Sequence, residues 1–184
     1  MTKQIDKNLP NKLTIARIIA VPIYAAAMLV DFKYHTLIAG VIFILASITD
    51  TLDGKIARKY DLVSDFGKFA DPLADKILVL TSVIIFTGLG RVSSWSCAIM
   101  VAREIAVTGL RNMAVLKGRV LAADIFGKIK TTLQMIALVL MHFEGLLPVL
   151  ILPATVIYYA SVFFTVLSGA NYFIKNKDVI AYEK

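Results

Sequence analysis

The sequence is poor in the residues that most often build soluble chemistry. It has one cysteine, Cys97, two histidines, His35 and His142, and one tryptophan, Trp95, in 184 residues. A single cysteine excludes an intramolecular disulfide and any cysteine-built metal site, so Cys97 reads as a small apolar-facing residue. Charge is also scarce, with 18% charged residues against 58% hydrophobic ones. No linker, low-complexity stretch or internal repeat divides the chain, and its length fits one domain over residues 1–184. The opening MTKQIDKNLPNK is polar and lacks the charged, apolar and small-residue succession of a cleaved signal peptide. The first apolar segment is therefore expected to remain as a membrane helix.

What the chain does have is apolar length. Its mean hydropathy is +0.75, and runs of about 20 apolar residues recur, enough to cross a hydrocarbon core of ~30 Å as helix. Six spans are expected, over 13–30, 37–57, 72–88, 95–116, 125–143 and 146–174. The fold class is all-α: a six-transmembrane-helix bundle, polar at its cytoplasmic end, where a metal site is expected. Residues 1–12 form a juxtamembrane arm, 13–174 the bundle and 175–184 a cytoplasmic tail. Six crossings put both termini on one side. Every lysine and arginine except Lys33 and Arg91 then falls on that side, which the positive-inside rule assigns to the cytoplasm. The net charge of +7 is thus a topology signal, and no nucleic-acid partner is expected. Within the spans, Arg17 either snorkels or points into a polar cavity, and Pro148 and Pro153 are expected to kink the outer half of the sixth.

Six aspartates interrupt this apolar background in the stretch DTLDGKIARKYDLVSDFGKFADPLAD, residues 50–75, and four of them, Asp50, Asp53, Asp71 and Asp75, come as two pairs. Asp50 and Asp53 lie roughly 60° apart around a helix axis, and Asp71 and Asp75 roughly 40°. Each pair therefore shares one helix face, and a hairpin of two spans sets the pairs facing each other. Four carboxylates so close repel unless cations lie between them. With His35, His142 and Cys97 at outer turns, only carboxylate oxygens remain as donors, favouring Mg2+ or Mn2+. Four carboxylates suit two such ions, and paired metals suit in-line phosphoryl displacement. Gly54, Ala57 and Gly67 let a bulky ligand approach the helix backbone. A single aspartate at a helix end is usually a solvated cap. Four at this spacing, with glycine and arginine between, form a functional cluster. Asp61, Asp65 and Asp124 read as solvated, and Glu104 as the ion-pair partner of Arg103 or Arg111.

The run Asp50-x2-Asp53-Gly54-x2-Ala57-Arg58-x8-Gly67-x3-Asp71-x3-Asp75 resembles the signature of the CDP-alcohol phosphotransferase family at each fixed position. Three further stretches, PNKLTIAR at 10–17, AREIAVTGLR at 102–111 and GKIKTTLQM at 127–135, are similar to the members whose acceptor is sn-glycerol 3-phosphate. The resemblance implies transfer of the phosphatidyl group from CDP-diacylglycerol to that acceptor, with release of CMP. It implies that Asp50, Asp53, Asp71 and Asp75 hold two divalent cations and that Asp75 is also the general base. It places the CDP-diacylglycerol contacts at Asn11, Thr14, Gly54, Ala57, Arg58, Ser64 and Gly67. Arg103, Arg111, Lys128 and Lys130 are expected to bind the glycerol phosphate, since a dianionic acceptor needs its own cations. Membrane lipids and a second copy of the chain, as a homodimer, are the further implied partners.

Three rival readings remain. One keeps the fold and changes the acceptor to inositol phosphate, serine or phosphatidylglycerol. A divalent-cation transporter would need polar residues across the bilayer, whereas the outer halves of the spans are almost wholly apolar. A membrane prenyltransferase also uses aspartate-rich diphosphate sites but generally needs a larger bundle.

Overall fold

A backbone in hydrocarbon must satisfy its own polar groups, and the helix does so within one segment. The computed structural model describes residues 9–59, 65–119, 121–122 and 124–180, with side-chain surroundings for 11–49, 76–119, 121–122 and 124–179. Those residues form α1 (Leu9–Leu29), α2 (His35–Lys59), α3 (Asp65–Gly88), α4 (Ser94–Leu116), α5 (Ile125–Phe143), α6 (Ile151–Lys175) and the short α7 (Lys177–Ile180). No strand occurs among them. The helices Asn11–Leu29 and Pro148–Lys175 are long and apolar enough to cross a membrane, while the apolar parts His35–Thr49 and Lys76–Gly88 are shorter. Only 22% and 28% of the residues in the two long windows are buried. Core helices of soluble proteins pass the same length test by being buried, so these two are better solvated by lipid. The chain is a membrane protein.

The chain separates into two units, residues 1–85 and 86–184. In the first, α1 buries Thr14, Arg17, Tyr24 and Met28, a stripe at helical spacing that is polar toward the N-terminus and apolar beyond. It packs on α2, which offers the small Ala39 and Ala46 and, between them, Phe43, 5.9 Å from the Tyr24 ring. Small residues let helix backbones approach where no hydrophobic force drives them together. The Tyr24 hydroxyl donates to Ser82 of α3 at 2.8 Å. Arg17 is only 2% exposed, so it does not snorkel.

In the second unit α5 and α6 form the principal helix pair, with α4 packed on α6. The buried side of α6 runs Ala154, Tyr158, Ser161, Thr165, Ser168 and Tyr172, alternating steps of four and three. That is the seam of a left-handed helix pair, here built from small and hydroxyl-bearing side chains. The hydroxyls of Ser161, Thr165 and Ser168 return to carbonyls of the preceding turn, so no buried donor is stranded by using them.

Two helices end in the same way. Gly90 and Gly118 adopt φ of +71° and +69°, and the amides of Arg91 and Arg119 reach back to Phe86 and Ala114 at 2.9 and 2.8 Å. This is the Schellman arrangement, with glycine where an L side chain is strained. Each leaves an arginine just past the helix end. Arg91 clasps Glu144 through two bonds of 2.5 and 2.7 Å and reaches Thr155 at 2.8 Å. The hydrogen-bonded carboxylate raises the already high pKa of that guanidinium. Arg119 pairs with Asp178 of α7, and its hydrogen bond holds that carboxyl below its ordinary range. A Cβ at Gly118 meets nothing within 4 Å, so Gly118→Ala is a test of backbone strain alone. It should cost about 1–2 kcal/mol, and Gly118→Asn should recover part of it, read as unfolding midpoints in mild detergent.

Two expected boundaries shift. α3 starts at Asp65, so Asp71 and Pro72 lie inside the helix rather than opening it, because hydropathy locates the apolar part of a helix and not its first turn. The prolines of the sixth span lie at its beginning. Pro148 begins a 3-10 turn, Pro148–Leu150, and Pro153 falls in the first turn of α6, where its missing N–H removes no helical bond.

Candidate active site

In the first unit, α2 runs helical through Asp50 and Asp53, and α3 through Asp71 and Asp75. The backbone therefore keeps each pair on one face, as the spacing predicts. The side chains of these aspartates, and of Gly54, Ala57, Arg58 and Gly67, lie outside the described residues, and Ser64 lies outside them altogether. Among the described residues no three His, Cys, Asp or Glu side chains cluster. His35 opens α2, fifteen residues before Asp50 on the same helix, or roughly 22 Å along the axis, too far to share a ligand set with it. A donor set made of the four aspartates would be all carboxylate, which suits hard divalent cations. Of the expected nucleotide contacts on α1, Thr14 is fully buried and Asn11 half-buried, and each is engaged by other groups.

The second unit gathers the expected acceptor cations around α4, α5 and α6. Lys130, 5% exposed, places Nζ 2.7 Å from Glu104 Oε2. Arg103 Nη1 approaches the same oxygen at 3.3 Å, and its Nη2 donates to Ser168 at 2.8 Å. A carboxylate shared by two cations lets both sit in a largely desolvated place that neither would tolerate alone. Arg103 has little room. A Cβ added at Gly169 would stand 3.3 Å from its Cγ, and one at Gly127 would stand 3.5 Å from Nη2 and 2.8 Å from Asp124 Oδ1. Its Nε is buried without a hydrogen-bond partner among the described residues. Arg111, two turns along α4, donates from Nε to the Tyr172 hydroxyl at 3.0 Å. Lys128 is exposed. Arg103 and Lys130 are thus brought together, while Arg111 and Lys128 have different surroundings.

Of the two partners expected for Glu104, Arg103 is the one it holds, together with Lys130, while Arg111 is taken by α6. One reading of a single residue changes. Asp124 is not merely solvated. Its Oδ1 accepts from the Gly127 amide at 2.8 Å, capping α5, and its Oδ2 accepts from Asn171 at 2.8 Å. The residues missed altogether are on α6: Ser168, Asn171 and Tyr172. Their signal is the run SGANY, small and polar at the end of an apolar span.

The chain matches the CDP-alcohol phosphatidyltransferase family over residues 7–167, a stretch that runs through both units. It is 42% identical to the CDP-diacylglycerol–glycerol-3-phosphate 3-phosphatidyltransferase of Bacillus subtilis, covering 94% of this chain and 97% of that protein. It is 38% identical to the protein of the same name in Rickettsia felis, over 92% of this chain and 96% of the relative. It is also 36% identical to a probable phosphatidylglycerophosphate synthase of Mycobacterium tuberculosis, over 90% of this chain and 79% of the relative. With most of its length matched and its aspartate-bearing helices inside the match, the chain belongs to the CDP-alcohol phosphatidyltransferase family.

Proposed function

We propose that this chain is a phosphatidylglycerophosphate synthase, transferring the phosphatidyl group of CDP-diacylglycerol to sn-glycerol 3-phosphate and releasing CMP. The observation that carries the reading is the aspartate–glycine–arginine spacing on α2 and α3, inside a family match that covers most of the chain. The names of the full-length relatives supply the acceptor.

Enzymes of this family use divalent cations. Asp50, Asp53, Asp71 and Asp75 hold two of them in this reading, Mg2+ or Mn2+, and when bound these supply countercharge for the diphosphate and for departing CMP. Asp75 accepts the proton of the attacking glycerol hydroxyl. The new P–O bond forms at the phosphorus that carries the diacylglycerol, and the bond from that phosphorus to the CMP oxygen breaks. Gly54, Ala57 and Gly67 leave space for the nucleotide beside the backbone, while Asn11, Thr14, Arg58 and Ser64 bind it. Arg103, Arg111, Lys128 and Lys130 bind the acceptor phosphate. All six long helices cross the cell membrane, with termini and site at the cytoplasmic face, as the asymmetry of basic residues supports. The chain acts as one functional domain, surrounded by membrane lipids, and pairs as a homodimer.

The test is CMP release from CDP-diacylglycerol by purified protein in detergent with Mg2+. Glycerol 3-phosphate, inositol phosphate, serine and phosphatidylglycerol are supplied separately. Release with glycerol 3-phosphate alone is expected. Release with another acceptor overturns the substrate and keeps the family chemistry. No release from folded, metal-loaded protein reopens cation transport.

A further inference from the structure

The cations of the second unit are held in two different ways. Arg103 and Lys130 share the Glu104 carboxylate, so part of their charge is already answered. Arg111 instead rests on a neutral group: its Nε donates to the Tyr172 hydroxyl at 3.0 Å, and its guanidinium carbon lies 5.4 Å from the centre of that ring. Among the described residues no carboxylate pairs with Arg111, and neither Nη group makes a hydrogen bond. A guanidinium fixed at Nε has one edge left for two parallel bonds, the Nη1/Nη2 end, which matches two oxygens of a phosphate. A phenol anchors the fork without neutralising it.

The anchor is itself rigid. Tyr172 is 3% exposed and packs with Val107, Leu110 and Ala114 of α4 and with Val179 of α7. Asn176 turns the chain back by bonding to the Tyr172 carbonyl from both its amide and its side chain, at 3.2 and 2.7 Å. The Arg119–Asp178 pair fastens α7 to the end of α4. So the turn between α6 and α7 holds a ring, and the ring holds Arg111.

We propose that Tyr172 is a positioning residue for the acceptor, setting the free edge of Arg111 toward the phosphate of sn-glycerol 3-phosphate. This rests on the function proposed above.

The experiment is a double-mutant cycle on the full-length protein with Mg2+, combining Tyr172→Phe with Arg111→Ala. Each protein is measured both by steady-state kinetics and by calorimetric binding of glycerol 3-phosphate. Tyr172→Phe keeps the ring and its packing and loses only the hydroxyl. It should raise the KM and Kd for glycerol 3-phosphate about tenfold, the scale of a hydrogen bond to a charged donor. The KM for CDP-diacylglycerol should stay within about twofold, since neither Tyr172 nor Arg111 is among the residues assigned to that substrate. In the Arg111→Ala background the same substitution should add nothing. An unchanged acceptor KM and Kd, or an equal effect with and without Arg111, overturns the proposal. Wild-type protein that releases no CMP with glycerol 3-phosphate refutes the function reading instead. The binding arm then judges the tyrosine by itself: coupling to Arg111 supports it, and no binding or no coupling overturns it.

Discussion

The Asp75→Asn protein is expected to release CMP about 10³-fold more slowly than the wild type, with its fold intact. A positioned general base contributes about 10²- to 10⁴-fold, and an amide cannot take the proton of the glycerol hydroxyl. Asp75 is also assigned to the cations, so the substitution removes two functions at once. Asp71→Asn separates them. If Asp71 is a ligand only, its loss weakens cation affinity, and added Mg2+ restores much of the rate. The same titration should not rescue Asp75→Asn. Rescue of both to the same level would show that Asp75 is a ligand and nothing more. Neither substitution should lower stability in metal-free detergent, because in the proposed site removing one of four carboxylate charges relieves repulsion. Single-turnover CMP release and a melting curve with chelator give the two numbers needed.

Glu104→Ala should be the most destabilising single change among the cations and their partners, by on the order of 3 kcal/mol. The cost comes from what is left behind. Lys130 is 6% exposed along its side chain and loses a partner at 2.7 Å, while Arg103, 13% exposed, loses its carboxylate contact. Adding Lys130→Met removes one of the two cations that lose this carboxylate. The double variant should then be more stable than Glu104→Ala alone, a coupling visible only if the pair is real. Glu104→Gln keeps the shape and one acceptor oxygen and should fall between. Unfolding midpoints in mixed detergent decide the matter, and a double variant as unstable as the sum of its singles would refute the pairing.

The helices were legible because the bilayer leaves an apolar run few other ways to satisfy its backbone. Where apolarity ended, legibility ended too. The true start of α3 at Asp65 lies in polar sequence, and the break before α6 depends on prolines that read as kinks until their place in the first turn is known. The aspartates stood out because the spacing of 50, 53, 71 and 75 is itself the signal. The surroundings of the basic residues did not, because they depend on which helix lies opposite. Nothing within the run AREIAVTGLR states that Glu104 faces Lys130, twenty-six residues on, or that Arg111 meets Tyr172, sixty-one residues on. The hydroxyls of α6 look like ordinary polar scatter in a span until they are counted at steps of four and three.

That helix also works as a ruler. Near its start, Thr155 and the Ile151 carbonyl receive Arg91, and near its end Ser168 and Tyr172 receive Arg103 and Arg111. Seventeen residues separate Thr155 from Tyr172, about 25 Å of unbroken helix. A residue inserted between them would leave one end seated and turn the other by roughly 100° while lifting it about 1.5 Å. The two ends can therefore diverge by substitution, but they must keep their distance in residue count. Along α6, length is a stricter requirement than composition.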